Sequence, residues 1–197
     1  MARALLLVDL QYDFMPGGAL AVEHGDETVA VACELAPQFS IVVATQDWHP
    51  LDHGSFAANH PGTSPGQMIE LAGLPQVLWP VHCVQGTRGA ELHAALPPLT
   101  AVFRKGTDRA IDSYSGFYDN GKRRATGLGD WLRERDVREL VVLGLATDDC
   151  VKYTVLDALG LGFAVTLVAR GCRAVDLTVG DGERAIAEMR AAGATVA

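Results

Sequence analysis

The sequence lacks the features that mark several large classes of protein. No apolar run approaches the ~18 residues that a membrane-spanning helix needs. The formal net charge is -8, so the chain has no excess of basic residues of the kind on which nucleic-acid binding usually depends. Only 7% of the 197 residues are aromatic, while 49% are apolar and 20% are charged. This composition is typical of an ordinary globular protein, and we expect no membrane association and no nucleic-acid partner.

Cysteines are also few, and their spacing excludes two kinds of small scaffold. The four cysteines, Cys33, Cys83, Cys150 and Cys172, are far apart and form no CxxC pair, so neither a disulfide framework nor a zinc knuckle is indicated. Free thiols are typical of a reducing compartment, which predicts a cytoplasmic location. The apolar run at 4–8 is too short for the core of a signal peptide and predicts a buried strand instead.

The pattern of apolar residues predicts an α/β fold. Six short apolar runs lack two-fold alternation, as strands covered on both faces do; they lie at 4–10, 41–45, 101–105, 140–145, 164–169 and 194–196. Helical patterns occur between them at 28–39, 90–96, 128–136, 150–159 and 181–192. This alternation predicts a three-layer αβα, Rossmann-like architecture in which a mostly parallel six-stranded sheet is flanked by helices. We expect a single domain over 1–197.

Reactive side chains follow four of the predicted strands. Asp9 lies at the end of the first strand, Asp47 and His49 follow the second, Lys105 ends the third, and Cys150 follows the fourth. Ligands of open parallel sheets bind beyond the carboxyl ends of the strands. The sequence therefore predicts that these groups converge on one site, which the long, Gly-, Pro- and His-rich stretch at 47–100 would help to build.

Cys150 is the candidate nucleophile, and Asp9 and Lys105 are its candidate partners. A thiol at a helix N-terminus is favoured as thiolate, and the free N–H groups there can hold an oxyanion. Lys105 needs a carboxylate if it is buried, and Asp9 would supply one and could move protons. The alternatives are a buried structural Cys150, a lysine that reaches solvent from the sheet edge, and a capping role for Asp9. For Cys33 and Cys172 a packing role is the prediction.

A second group of residues has the chemistry of a metal site. Asp47 and His49, two residues apart in an extended segment, face the same way, and His82 is the best third ligand. Three such ligands suit zinc, iron or manganese and leave positions open for water or substrate. The alternative is an ordinary surface Asp-x-His pair. Three aromatic residues beside these motifs, Phe14, Trp79 and Tyr114, could sandwich a flat ligand or could simply pack.

Six sequence strings carry a family resemblance when taken in order: VDLQYDF at 8–14, DWHP at 47–50 with GSF at 54–56, WPVHCV at 79–84, FRKG at 103–106, DSYSGF at 112–117 and GLATDDCV at 144–151. By these strings the chain resembles the bacterial nicotinamidases of the isochorismatase-like hydrolase family over essentially its whole length.

The resemblance implies a role for each candidate residue. Asp9, Lys105 and Cys150 would be the catalytic trio, and Phe14, Trp79 and Tyr114 would line the pocket for the substrate ring. Asp47, His49 and His82 would bind one divalent metal ion (Zn, Fe or Mn), with His53 or water as a fourth ligand, and no organic cofactor is expected. A cis peptide bond would precede Ala146, and the amides of Ala146 and Cys150 would form the oxyanion hole.

The implied activity is hydrolysis of nicotinamide to nicotinic acid and ammonia through a cysteine thioester, in NAD salvage, with pyrazinamide as a further substrate. The nearest alternative is an N-carbamoyl or ureido amidohydrolase of the same family, which would not need the metal set. A non-catalytic metal-binding protein on the same fold is the other alternative. The implied partner is therefore a small molecule, and the formation of homo-oligomers stays open.

Overall fold

The computed structural model describes residues 2–197, in which strands and helices alternate along the chain. The elements are β1 (Ala2–Val8), α1 (Glu27–Leu35), β2 (Val42–Asp47), β3 (Met68–Leu71), β4 (Leu74–Val77), β5 (Ala101–Lys105), α2 (Leu128–Arg133), β6 (Val137–Leu145), α3 (Lys152–Gly160), β7 (Ala164–Arg173), α4 (Asp181–Ala191) and β8 (Thr195–Val196). Each of the six apolar runs that predicted strands overlaps a strand, although β1 ends at Val8 rather than Leu10 and β7 continues to Arg173.

Six strands form one sheet in the order β5-β2-β1-β6-β7-β8, and every neighbouring pair is parallel. The predicted αβα class is confirmed, and the sheet is wholly parallel. β1 lies near the middle of this sheet, and its residues 4–8 are completely buried, because helices cover both faces of a sheet built in this way. α1 and α3 both pack against β7, and α2 packs against β6.

Two local predictions were wrong. The stretch at 90–96 is not helical: Leu92 forms an antiparallel bridge with Gln11, and the N–H of His93 bonds to the C=O of Leu10. The long stretch at 47–100, predicted without strands, contains the antiparallel hairpin β3–β4. The helix predicted at 150–159 begins earlier, with a π-helical turn over Thr147–Val151.

The strand order places a crevice at the centre of the sheet. The chain passes from β1 to its neighbour β2 on one side and later enters β6 on the other side. Such a reversal of direction opens a ligand site at the carboxyl ends of the two strands, here between the residues that follow β1 and β6. No helix within residues 2–197 is both long enough and apolar enough to cross a membrane.

Candidate active site

Lys105 is the centre of the charged cluster at the carboxyl end of the sheet. Its Nζ lies 2.6 Å from Asp47 Oδ1, 2.9 Å from Asp9 Oδ2 and 3.2 Å from Cys150 Sγ. It also donates to the C=O of Ser113 at 3.0 Å. Lys105 is 2% exposed, yet its two carboxylate neighbours raise its pKa well above the usual range despite burial. The ammonium is therefore charged, and it links the predicted acid, nucleophile and metal ligand.

Asp9 is fully buried, and its two carboxylate oxygens have different neighbours. Its backbone turns away from β1 in the left-handed region, at φ 52°. Oδ1 accepts a hydrogen bond from the Thr45 hydroxyl at 2.6 Å. Oδ2 lies 2.9 Å from Lys105 Nζ but, within residues 2–197, receives no hydrogen bond of good geometry; the ammonium donates instead to Asp47, Ser113 and Cys150. Burial raises the pKa of Asp9, although Lys105 opposes the shift, so this carboxylate is more basic than an exposed one.

Cys150 lies in the turn that joins β6 to α3 and is 7% exposed. A carboxylate oxygen of Asp9, one of Asp47 and the Cys150 sulfur all lie within 4.8 Å of one another. The expectation that the helix N-terminus favours the thiolate was wrong. Burial raises the pKa of the Cys150 thiol well above its usual value, and the nearby Lys105 only partly offsets this. The resting group is a thiol, and it needs a base to become a nucleophile.

The turn before Cys150 is held in an uncommon shape. The Leu145–Ala146 peptide bond is cis, as the resemblance implied. The C=O of Ala146 accepts the N–H groups of Asp149 and Val151 at 3.1 and 3.0 Å. At Gly144 the φ of 138° brings the backbone so close to Val8 that a Cβ would collide with it, which explains a glycine here. The turn thereby fixes Ala146 and Cys150 at the pocket.

Asp47, His49 and His82 present ligand atoms toward one point. Their ligand atoms lie within 4.8 Å of one another, and Asp47 Oδ2 is 3.6 Å from His49 Nε2 and 4.0 Å from His82 Nε2. The Nδ1 atom of His49 bonds to the C=O of Gly106, and that of His82 to the C=O of Pro80, both at 2.8 Å. Because Nδ1 must carry the hydrogen in these bonds, each Nε2 keeps its lone pair for a metal. The residues present therefore fit a divalent ion.

The two histidines of the group titrate differently: burial acts to lower the pKa of His49, but the Asp47 carboxylate outweighs it and raises that pKa above its usual value. Burial, together with the neighbouring His49, lowers the pKa of His82 to about 4, so His82 is the neutral ligand form at neutral pH. His53, the candidate fourth ligand, is fully buried beside His49, with ring centroids 4.4 Å apart. It groups with His49 and Asp112 rather than with Asp47, and within residues 2–197 its Nε2 has no hydrogen-bond partner of good geometry.

All the predicted site residues except Asp9, Lys105 and the candidate fourth ligand His53 line a pocket beside Cys150. The lining consists of Phe14, Leu20, Asp47, His49, Trp79, His82, Asp112, Tyr114, Ala146, Asp149, Cys150 and Val175. Trp79 Nε1 donates to the Tyr114 hydroxyl at 3.1 Å, and the Phe14 ring lies 5.6 Å from that of His82. These rings leave a space bounded by aromatic faces, the metal-type group and the thiol.

Sequence reasoning missed three acidic residues at this site. Asp112 and Asp149 line the pocket, and burial, with the adjacent Asp148 carboxylate, raises the pKa of Asp149 to about 7. Asp148 accepts the N–H of Val175 at 3.0 Å and that of Asp176 at 2.8 Å, which fixes the loop that carries one wall of the pocket. The available signals were that Asp148 and Asp149 stand just before Cys150 and that Asp112 opens the DSYSGF string.

The remaining cysteines have different surroundings. Cys83 and Cys172 are buried, which agrees with a packing role. Cys33 is exposed, with its sulfur 3.1 Å from the C=O of Ala95, so the packing prediction was wrong there. It lies on the outer side of α1, which buries other positions. Among the cysteines, only Cys150 lines the pocket.

Comparison with known proteins gives concordant matches over the whole chain. The family model described as Isochorismatase domain matches residues 3–197. The nicotinamidase of Escherichia coli is 54% identical, over 98% of this chain and 93% of that protein. A solved nicotinamidase and pyrazinamidase from Acinetobacter superposes with a TM-score of 0.95 at 44% identity, covering 99% of this chain and 95% of that one. The pyrazinamidase of Pyrococcus horikoshii in complex with zinc superposes with a TM-score of 0.81 at 35% identity, covering 100% and 99%.

Proposed function

This chain belongs to the isochorismatase family, and we propose that it is a nicotinamidase in which Cys150 attacks the carboxamide of nicotinamide to release ammonia. The observation that carries the proposal is the contact of one buried ammonium, Lys105 Nζ, with Asp9, Asp47 and Cys150. The similarity to nicotinamidases over the whole chain supports the substrate. The four free cysteines favour a reducing compartment, and we propose the cytoplasm.

The proposed reaction begins with proton transfer from the Cys150 thiol to Asp9 Oδ2, the oxygen that does not accept the Thr45 hydrogen bond. The sulfur attacks the carboxamide carbon, and the oxygen of the substrate becomes an oxyanion, to which the N–H groups of Ala146 and Cys150 would donate. The C–N bond then breaks while Asp9 returns the proton to the nitrogen, which leaves as ammonia. Lys105 holds Asp9 and Cys150 in reach of each other throughout.

The thioester is then hydrolysed by water with the same groups. Asp9 accepts a proton from the attacking water, the C–S bond breaks, and the Cys150 sulfur takes the proton back as nicotinic acid leaves. Phe14, Trp79 and Tyr114 would hold the ring of the substrate against the pocket wall. We assign a divalent ion to Asp47, His49 and His82, with zinc the preferred identity; when bound, it supplies an orienting contact for the substrate.

The reaction class and the substrate can be tested together by measuring ammonia release. We expect the purified protein to release ammonia rapidly from nicotinamide and also from pyrazinamide. A panel of N-carbamoyl compounds, assayed beside it, should give little or none. Release from the carbamoyl compounds alone would leave the fold and the nucleophile in place but would overturn both the substrate and the role of the metal ligands.

Removal of the metal should lower both the activity and the thermal stability. An ion that binds only the folded protein stabilises it, by ~2.7 kcal/mol at a hundredfold excess over Kd. We therefore expect prolonged chelation to reduce ammonia release and lower Tm, and added zinc, iron or manganese to restore both. Metal analysis of each sample is the control, because full activity in a protein shown to contain no metal would contradict the assignment.

A further inference from the structure

Gln11 is completely buried, and its side chain is bonded to the backbone of a proposed metal ligand. Gln11 Oε1 accepts the N–H of Asp47 at 2.8 Å, and Nε2 donates to the C=O of Asp47 at 2.8 Å. The second hydrogen of Nε2 is donated to the C=O of Ala90 at 2.9 Å. Both N–H groups and the oxygen of the carboxamide are thus committed to backbone partners, and two of these three bonds go to one residue.

The fold explains why Asp47 needs such a partner. The last pairing of β1 with β2 is that of Leu7 with Ala44, after which the chain leaves β1 and turns at Asp9, whereas β2 continues to Asp47. The N–H of Trp48 bonds to Lys105 on the β5 side. Since successive residues of a strand direct their N–H groups to opposite edges, the backbone groups of Asp47 point to the side that β1 has left. The Gln11 side chain takes the place of the missing strand.

The carboxylate of Asp47 serves two groups at once. Its Oδ1 is 2.6 Å from Lys105 Nζ, and its Oδ2 is 3.6 Å from His49 Nε2 and 4.0 Å from His82 Nε2. A small rotation of the Asp47 backbone would therefore displace both the proposed metal ligand and the acceptor of the lysine. The Gln11 side chain donates one hydrogen bond to the Asp47 backbone and accepts one from it, and this pair of bonds opposes such a rotation.

We propose that Gln11 is a positioning residue that fixes the Asp47 backbone. The Asp47 carboxylate can then bind the metal and hold Lys105 at the same time. This inference rests on the roles proposed above for Asp47 and Lys105. Gln11 does not line the pocket, so its effect on substrate is indirect. Its removal is therefore expected to change metal affinity and kcat more than KM.

The test is the zinc affinity of Gln11→Met, measured on metal-free protein by competition with a chromophoric chelator. Methionine is similar in size and apolar, so it can fill the space but can neither donate to nor accept from Asp47. We expect zinc to bind ~10–100-fold more weakly, the usual effect of removing a group that orients a metal ligand. At saturating zinc, kcat for nicotinamide should still be reduced because Lys105 has lost its fixed acceptor, while KM changes less.

Gln46→Met is the matched control. Gln46 is also a buried glutamine, 7% exposed, and it donates to the same C=O of Ala90 at 2.8 Å. Each of the two variants loses one hydrogen bond to Ala90, and Gln46→Met also loses the bond that Arg104 Nε donates to Gln46 at 3.3 Å, but only Gln11→Met loses the pair to the Asp47 backbone. Zinc affinity close to that of wild type is expected for Gln46→Met, and an equal loss in both variants would overturn the inference.

The remaining outcomes are also decisive. Wild-type zinc affinity in a folded Gln11→Met protein would overturn the inference and leave the proposed function intact. Gln11→Glu covers the case in which Gln11→Met does not fold. Glutamate keeps the shape of the side chain and the acceptor for the Asp47 N–H, but it sets a second oxygen against the Asp47 C=O. Weaker zinc binding is again expected. If Asp47→Asn binds zinc as tightly as wild type, the proposed metal site fails and the inference fails with it.

Discussion

Replacement of Cys150 by serine should reduce ammonia release from nicotinamide by at least ~10³-fold, as removal of a catalytic nucleophile generally does. The serine hydroxyl is a far weaker acid than the thiol, and Asp9 is too weak a base to deprotonate it. The substitution is nearly isosteric, so the fold and the metal ligands should be unaffected. Steady-state assays give the loss, and mass spectrometry of the quenched reaction should show a nicotinoyl adduct in wild type that the variant lacks.

Cys172→Ser is the control for this prediction. Cys172 is likewise buried, 5% exposed, and its sulfur already donates to the C=O of Val168 at 3.4 Å, so a hydroxyl has an acceptor there. It does not line the pocket, and its serine variant should keep near wild-type activity. If Cys150→Ser also released ammonia at the wild-type rate, the covalent mechanism would be wrong, and a role in metal or ligand binding without catalysis would become the better explanation of the fold.

The position of the reactive residues could be predicted because it follows from the sheet. Continuous apolar runs identify buried parallel strands, and the carboxyl ends of such strands meet at one edge. Asp9, Asp47, Lys105 and Cys150 each stand at or just after such an end, so their convergence needed only the strand assignment. The structure places a carboxylate oxygen of Asp9, one of Asp47 and the Cys150 sulfur within 4.8 Å of one another.

What could not be predicted depends on partners distant in sequence. The segment at 90–96 has a helical spacing of apolar residues, but Leu92 bridges to Gln11 and the chain turns after it, with the N–H of Leu96 bonded to the C=O of His93. The hairpin β3–β4 turns at Ala72 and Gly73, both with positive φ, and an alanine there does not match the Asn-Gly or Asp-Gly signal of such turns. The role of Gln11 depends on Asp47, which is 36 positions away.

Local rules also failed where burial outweighs them. The helix N-terminus at Cys150 predicted a thiolate, but the same chain segment is covered by the pocket walls, and desolvation is the larger influence on its pKa. A charged thiolate would be the third negative group in a site that already holds the carboxylates of Asp9 and Asp47 beside one ammonium. The consequence for mechanism is that catalysis depends on the base that removes the thiol proton.

Asp9→Asn should therefore lower kcat by ~10²–10⁴-fold, the usual contribution of a general acid–base group, with little change in KM. Asparagine keeps the shape of the side chain and can still accept the hydrogen bond that the Thr45 hydroxyl gives at 2.6 Å. Lys105 retains Asp47 as its ion-pair partner. The buried cluster of the variant then has one carboxylate for its one ammonium, whereas the wild-type cluster has two carboxylates. We expect Tm to be at least that of wild type, which separates loss of catalysis from loss of fold.

Asp148→Asn is the matched control, because it makes the same substitution at a buried carboxylate two residues from Cys150. Asp148 accepts the N–H groups of Val175 and Asp176, and an asparagine can accept only one of them while its NH₂ group opposes the other. The wall of the pocket that Val175 forms should then loosen, raising KM with a smaller effect on kcat.

A kcat loss in Asp148→Asn as large as that in Asp9→Asn would mean that any change in buried charge near the turn disables the enzyme. A wild-type kcat in Asp9→Asn would instead assign the proton transfer to another group, and Asp149, which lines the pocket and has a pKa of about 7, would be the residue to replace next.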